Sequence, residues 1–89
     1  MHAIVTVIGK DRVGIIADVC ALLSQQRVNV LDISQTVMQE YFTMIMMVDV
    51  TDAELPFAEL VKLLEEEGKS LNLTIRAQRE DICNAMHRI

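Results

Sequence analysis

Aromatic and basic side chains are scarce in this 89-residue chain, and their scarcity argues against a nucleic-acid-binding protein. The only aromatic residues are Tyr41, Phe42 and Phe57, and 8 lysines and arginines stand against 13 acidic residues, which gives a formal net charge of -5. Proteins that bind DNA or RNA need a basic surface to neutralise phosphates, and those that bind single strands also use aromatic platforms. The composition therefore predicts a protein without a nucleic-acid partner.

Cysteine and long hydrophobic runs are also scarce. Cys20 and Cys83 form no C-x-x-C pair, and His2 and His87 stand near opposite ends of the chain. The sequence therefore indicates neither a disulfide framework nor a metal site, and no other cofactor. No apolar run approaches the roughly 18 residues that span a bilayer, and the amino terminus lacks a signal-peptide pattern. We therefore expect a cytoplasmic protein with no membrane partner.

The chain contains 52% hydrophobic residues, which is far too many for a disordered protein of this length. A chain of this size folds as one domain. We therefore predict a single domain over residues 1–89, with a core over 1–78 and a helical tail over 79–89.

Hydrophobic periodicity predicts six elements followed by the tail. A first strand over 2–8 precedes an amphipathic helix over 14–26. Gln39 and Glu40 suit the tight turn of a hairpin between two further strands. Pro56 suits the first turn of a second helix, and Gly68 lies in phase with the apolar stripe of that helix, so we expect the helix to continue through it. The remaining predicted bounds are strands over 30–38, 41–50 and 73–78, the second helix to about residue 71, and a short tail helix beyond Glu80.

The strand over 41–50 is apolar at nearly every position, so we expect it in the middle of a sheet. Two crossover units around a hairpin place both helices on one face of a four-stranded antiparallel sheet. The predicted fold class is α+β, a ferredoxin-like βαββαβ sandwich. Its other face is left bare, to be covered either by the tail helix or by a second copy of the chain. We expect a homodimer, with the strand over 30–38 at a sheet edge that the second copy could pair.

The segment Gly9–Ala17 holds two of the three glycines and joins the first strand to the first helix. A turn of this kind directs free backbone N–H groups and the positive end of the helix dipole at one point, where a carboxylate or phosphate can bind. Each residue also has a purely structural interpretation. Gly14 could simply permit the turn, Asp11 could cap the helix, and Asn29 could end it.

The turn Asp11–Ile15, the apolar strand Ile4–Ile8 before it and the pair Asn29–Val30 after the first helix resemble the ACT domain, the small-ligand regulatory module found beside many enzymes of amino-acid metabolism. The whole chain is similar to small stand-alone ACT proteins of bacteria and archaea, and similar domains occur in tandem in a regulator of the glycine cleavage system. The resemblance implies a non-enzymatic regulatory homodimer that binds an amino acid or a similar carboxylate, and a possible regulated protein as a further partner.

In the ACT family the turn before the first helix binds the ligand, and a residue after that helix in the partner subunit also contacts it. The resemblance assigns ligand contact to Asp11 and Gly14, and to Asn29 of the second chain. The full candidate set is Gly9, Asp11, Arg12, Val13, Gly14 and Ile15 around the turn, with Asn29 and Val30 after the helix.

Two other functions remain open at this stage. The chain could be a dimeric adaptor that binds other proteins and no small ligand, because the sheet leaves an apolar face bare. An enzyme is less well supported: acylphosphatases share the sandwich and a similar turn, but they need an arginine where this chain has Asp18, which would repel a phosphate. The C-x-x-C turn of copper chaperones and the aromatic strands of RNA-binding relatives are absent.

Overall fold

Four strands and two helices make up the fold over residues 1–80, which are the residues that the computed structural model describes. The predicted tail helix beyond Glu80 lies outside these residues. The elements follow the predicted order, and each bound falls within two residues of the expected one. They are β1 (His2–Lys10), α1 (Ile15–Gln25), β2 (Asn29–Met38), β3 (Tyr41–Asp49), α2 (Phe57–Ser70) and β4 (Leu73–Arg79).

The strands form one sheet in the order β2-β3-β1-β4, with every neighbouring pair antiparallel. This is the ferredoxin-like βαββαβ fold, and it confirms the predicted fold class. As expected from its composition, β3 lies inside the sheet, whereas β2 lies at an edge. An extra residue, Leu31, interrupts the pairing of β2 with β3 between Val30 and Asp32.

The core lies between one face of the sheet and the two helices. Side chains alternate along β3, so that Phe42, Met44, Met46 and Val48 are buried. The side chains between them belong to the opposite face, where Ile45 remains 49% exposed. Because a strand directs successive side chains to opposite faces, the two helices can cover only half of this apolar strand. The helices contribute Ile15, Val19, Leu22, Leu23, Leu60 and Leu64 to the core.

Gly68 lies inside α2 and does not end it, as its position in the apolar stripe predicted. A Cβ atom at this position would lie 2.8 Å from Cγ1 of Ile75 and 3.0 Å from the backbone oxygen of Leu73. Both neighbours belong to β4. The absent side chain therefore lets α2 pack directly against that strand.

Asn29 does not end α1, which was the structural alternative considered for this residue. The helix ends in a Schellman motif in which Arg27, with φ +59°, adopts the left-handed conformation. The N–H of Arg27 donates to the oxygen of Ser24 at 3.0 Å, and the N–H of Val28 donates to the oxygen of Leu23 at 3.0 Å. Asn29 is thus free of any capping role and begins β2.

Candidate functional site

Gly14 is the residue at which the chain turns from β1 into α1. It is the N-cap of the helix and has φ +90° and ψ +2°, a left-handed conformation that L side chains rarely adopt. A Cβ atom here would have only Nη1 of Arg12 within 4 Å, at 3.9 Å. The backbone conformation therefore requires glycine, and the space beside it is open to a ligand.

The first turn of α1 has unused hydrogen-bond donors. The first intrahelical bond runs from the N–H of Asp18 to the oxygen of Gly14 at 2.9 Å, which leaves the N–H groups of Ile15, Ile16 and Ala17 before it. In the part of the chain that is described, no side chain caps this helix. Asp11 is therefore not the cap that a purely structural interpretation proposed. Its own N–H donates to the oxygen of Glu40 at 2.7 Å and fixes the turn to the β2–β3 hairpin.

Arg12 is held by three groups at the base of the turn. Its Nη1 lies 3.0 Å from Oδ2 of Asp18 and 3.1 Å from the oxygen of Val13, and its Nη2 lies 3.4 Å from the oxygen of Leu71. Leu71 is the C-cap of α2, where a positive charge is favourable beside the helix dipole. The guanidinium therefore ties the start of α1 to the end of α2.

A cleft of about 300 Å³ opens between this turn and the edge strand β2. Gln35 and Val37 of β2 face it beside Phe42 of β3, and none of the three was predicted as a site residue. They come together because Val37 pairs with Phe42 across the sheet and Gln35 is two residues before Val37 on β2, which no local sequence pattern reveals. The remaining lining residues are Asp11, Arg12, Gly14, Ile15, Ile16 and Ala17.

Two other predicted residues of the turn have different surroundings. Gly9 lies within β1, where a Cβ atom would lie 2.5 Å from Cδ2 of Leu73, so its lack of a side chain serves close packing. Val13 is 98% exposed and does not line the cleft.

Asn29 and Val30 lie at the opposite end of the sheet from the turn. Asn29 pairs with Asp49, which pairs in turn with His2 at the start of β1, whereas the turn follows Lys10 at its end. At about 3.4 Å per residue, β1 separates these two positions by roughly 27 Å. A single chain therefore does not bring Asn29 to the cleft.

Asp49 pairs with Asn29 across the sheet and has a lowered pKa. Hydrogen bonds from the hydroxyl and the N–H of Thr51 lower the pKa of Asp49 from 3.8 to about 2. Oδ1 also lies 3.5 Å from the amino group of Met1. Near Asn29, the strand end therefore carries an ion pair between Asp49 and the amino terminus.

In residues 1–80 no helix is long and apolar enough to cross a membrane. The same residues contain no group of three or more histidine, cysteine or acidic side chains that could hold a metal ion.

The fold and the glycine-bounded turn define a small α+β domain of the ferredoxin-like class. The family model of the ACT domain matches residues 1–78, and the chain belongs to that family. A UPF0237 protein of Clostridium acetobutylicum is 52% identical over 89 residues, which cover the whole of both chains. A UPF0237 protein of Methanocaldococcus jannaschii is 48% identical over 88 residues, 99% of this chain and 98% of the relative.

Solved structures agree with this assignment. An ACT domain protein from Streptococcus pneumoniae has a TM-score of 0.83 and 39% identity, and the match covers 100% of this chain and 97% of the other. A protein described as a glycine cleavage system transcriptional repressor has a TM-score of 0.71 and 24% identity over 86% of this chain and 44% of its own. This second similarity concerns the fold alone.

Proposed function

We propose that the protein is a non-catalytic regulatory module of the cytoplasm that acts as a homodimer. Each ligand site combines the turn Asp11–Ile15 of one subunit with Asn29 and Val30 of the partner. The ligand is an amino acid or a similar small carboxylate, and its binding stabilises one arrangement of the two subunits. The observation that supports this most strongly is the open cleft beside Gly14, bordered by an edge strand that a second chain can pair.

The edge strand β2 supports the proposed dimer. It is ten residues long, and within residues 1–80 its one partner strand is β3. It contains no proline, lysine or arginine, the residues that commonly protect an exposed edge. Symmetric antiparallel pairing of β2 with its copy would bring the end that carries Asn29 and Val30 in one chain to the end that carries Val37 and Met38 in the other, with Val30 and Val37 on the helix face. Met38 follows Val37, which lines the cleft. A twofold axis at this edge would therefore bring the strand end that carries Asn29 in one chain close to the cleft of the other, although the two lie far apart within one chain.

The chemistry of the proposed site suits a zwitterion. The N–H groups of Ile15, Ile16 and Ala17, at the positive end of α1, can donate to a carboxylate. The carboxylate of Asp11 can accept from an ammonium group, and the side-chain amide of Asn29 can donate and accept at once.

The dimer and its interface can be tested by placing a lysine on each of two surfaces. Ile33 on β2 is 40% exposed and Ile45 on the open sheet face is 49% exposed, so the two positions form a matched pair. We expect Ile33→Lys to yield a monomer in sedimentation equilibrium, because two lysines would meet beside the twofold axis. Ile45→Lys should remain a dimer. The opposite result would place the interface on the open face and contradict edge pairing.

Ligand binding can be tested by titration calorimetry of the dimer against the twenty amino acids. We expect heat and a raised melting temperature for a subset of them, with one ligand per subunit. The absence of heat and of any thermal shift for every amino acid, in a preparation shown to be dimeric, would contradict the proposed ligand class.

A second candidate function is a dimeric adaptor without a small ligand. The open sheet face favours it, because Ile8, Tyr41 and Ile45 are each about half exposed there. Capture from the native cell of one stoichiometric protein partner that Ile45→Lys no longer binds, and that amino acids do not displace, would support the adaptor.

A further inference from the structure

The ion pair between Arg12 and Asp18 sets the charge of the cleft. Between Asp11 and Ile15 the turn contains one cation, Arg12, and its guanidinium lies 3.0 Å from the carboxylate of Asp18. The same Nη1 also donates to the oxygen of Val13, and Nη2 donates to the oxygen of Leu71. Asp11 and Arg12 line the cleft and Asp18 pairs with Arg12 just outside it, so these three groups carry a net charge of one negative unit, to which the pair of Lys10 with Glu40 adds none. Arg12 is therefore not available as a free anion-binding group.

The position of Asp18 in α1 favours its ion pair with Arg12. It lies in the first turn of α1, where its negative charge is favourable beside the helix dipole, and its own N–H is bound to Gly14. A ligand carboxylate could bind Arg12 only by displacing the carboxylate of Asp18, which belongs to the first turn of α1. The remaining donors for a ligand carboxylate are the backbone N–H groups of the first turn, which suffice for one carboxylate.

The walls of the cleft are about half apolar. Ile16, Val37 and Phe42 line it, and the uncharged Gln35 is its one polar side chain apart from Asp11 and Arg12. Ile16 and Val37 are partly exposed, at 38% and 53%, so apolar surface is available for a ligand to cover. These walls suit an uncharged side chain.

We propose that the site selects amino acids with an uncharged, apolar side chain and rejects dicarboxylates, and that Asp18 is the residue that determines this selectivity. The proposal rests on the proposed function of the cleft as an amino-acid site. A second ligand carboxylate would meet Asp11, and a guanidinium already paired with Asp18, so that the charges around the cleft are net negative. Asp18 acts on the ligand through Arg12 and through its own charge.

The test compares L-valine, L-glutamine and L-glutamate by calorimetry at low ionic strength. Glutamine and glutamate have nearly the same shape, so their affinity ratio isolates the side-chain charge. We expect valine to bind tightest and glutamine to bind more tightly than glutamate by on the order of tenfold, the effect of one unit charge at close range near a surface. In Asp18→Asn, which keeps the size of the side chain and frees Arg12, the glutamine-to-glutamate ratio should fall to about one or below.

Glu66→Gln, which removes an exposed carboxylate of α2 away from both halves of the proposed site, is the control and should leave the ratio unchanged. A purely structural effect of Asp18→Asn would weaken all three ligands together and leave the ratio unchanged, and this would overturn the role of Asp18. Glutamate binding as tightly as glutamine to the unaltered protein would overturn the selectivity while leaving the amino-acid site in place. No binding of any amino acid would overturn both the site and its selectivity.

Discussion

Replacing Gly68 by alanine has two opposing effects on the free energy of unfolding. Inside a helix, alanine is favoured over glycine by about 1 kcal/mol. The new Cβ atom, however, would lie 2.8 Å from Cγ1 of Ile75 and 3.0 Å from the backbone oxygen of Leu73. A backbone oxygen cannot rotate away, so α2 must move off β4, and overpacking of this kind costs about 1–3 kcal/mol.

We therefore expect Gly68→Ala to lower the stability by about 1 kcal/mol, which corresponds to a fall in Tm of about 4–8 °C for a domain of this size. Urea and thermal unfolding followed by circular dichroism measure both quantities. Ser70→Ala, at an exposed position of the same helix, is the control and should gain a few tenths of a kcal/mol. If Gly68→Ala were stabilising by the full helix-propensity gain, the close packing of α2 on β4 would be refuted.

Further predictions concern the turn and the strand end that carries Asn29. Gly14→Ala should cost about 1–2 kcal/mol of stability in urea unfolding because of the positive φ, and Gly14→Asn should cost less; equal losses would point to a steric cause instead. Val13→Ser should change the free energy of unfolding by less than about 0.5 kcal/mol, since this side chain is 98% exposed; a larger loss would show that it packs against something. Thr51→Val should raise the pKa of Asp49 from about 2 toward 3.8 in an NMR titration, because it removes the hydroxyl donor; an unchanged pKa would contradict that cause. Since folding lowers this pKa, the stabilisation by Asp49 is complete above pH 3.8 and is lost as the pH falls toward 2. In Thr51→Val the stabilisation by Asp49 should already be smaller above pH 3.8, so less of it is lost on acidification.

The fold was predictable because its main signals are local. The apolar residues of β3 occupy both faces of the strand, which placed it inside the sheet, and the phase of Gly68 in the stripe of α2 placed it within the helix. The left-handed residue that ends α1 was not predictable, because it is Arg27 and not the glycine or asparagine that usually signals this conformation.

The candidate site was predictable only in part. The turn and Gly14 follow from the sequence, since a strand, two glycines and a helix occur in succession. Gln35 enters the cleft through tertiary packing of β2 beside α1, and no local pattern marks it. The pairing of Arg12 with Asp18 spans the bend of the turn, so the three- and four-residue spacing of helical ion pairs does not reveal it.

The central claim is that each ligand site is shared between two subunits, and mixing two defective variants tests it most directly. Asp11→Ala removes the turn half of the site, and Asn29→Ala removes the half that the partner contributes. Each variant alone should bind L-valine weakly in calorimetry. After subunit exchange in an equal mixture, half of the dimers are mixed and each mixed dimer contains one intact site, so about a quarter of all sites should bind with the original affinity. A mixture that binds no better than its components, with subunit exchange confirmed by mass spectrometry, would contradict the shared site.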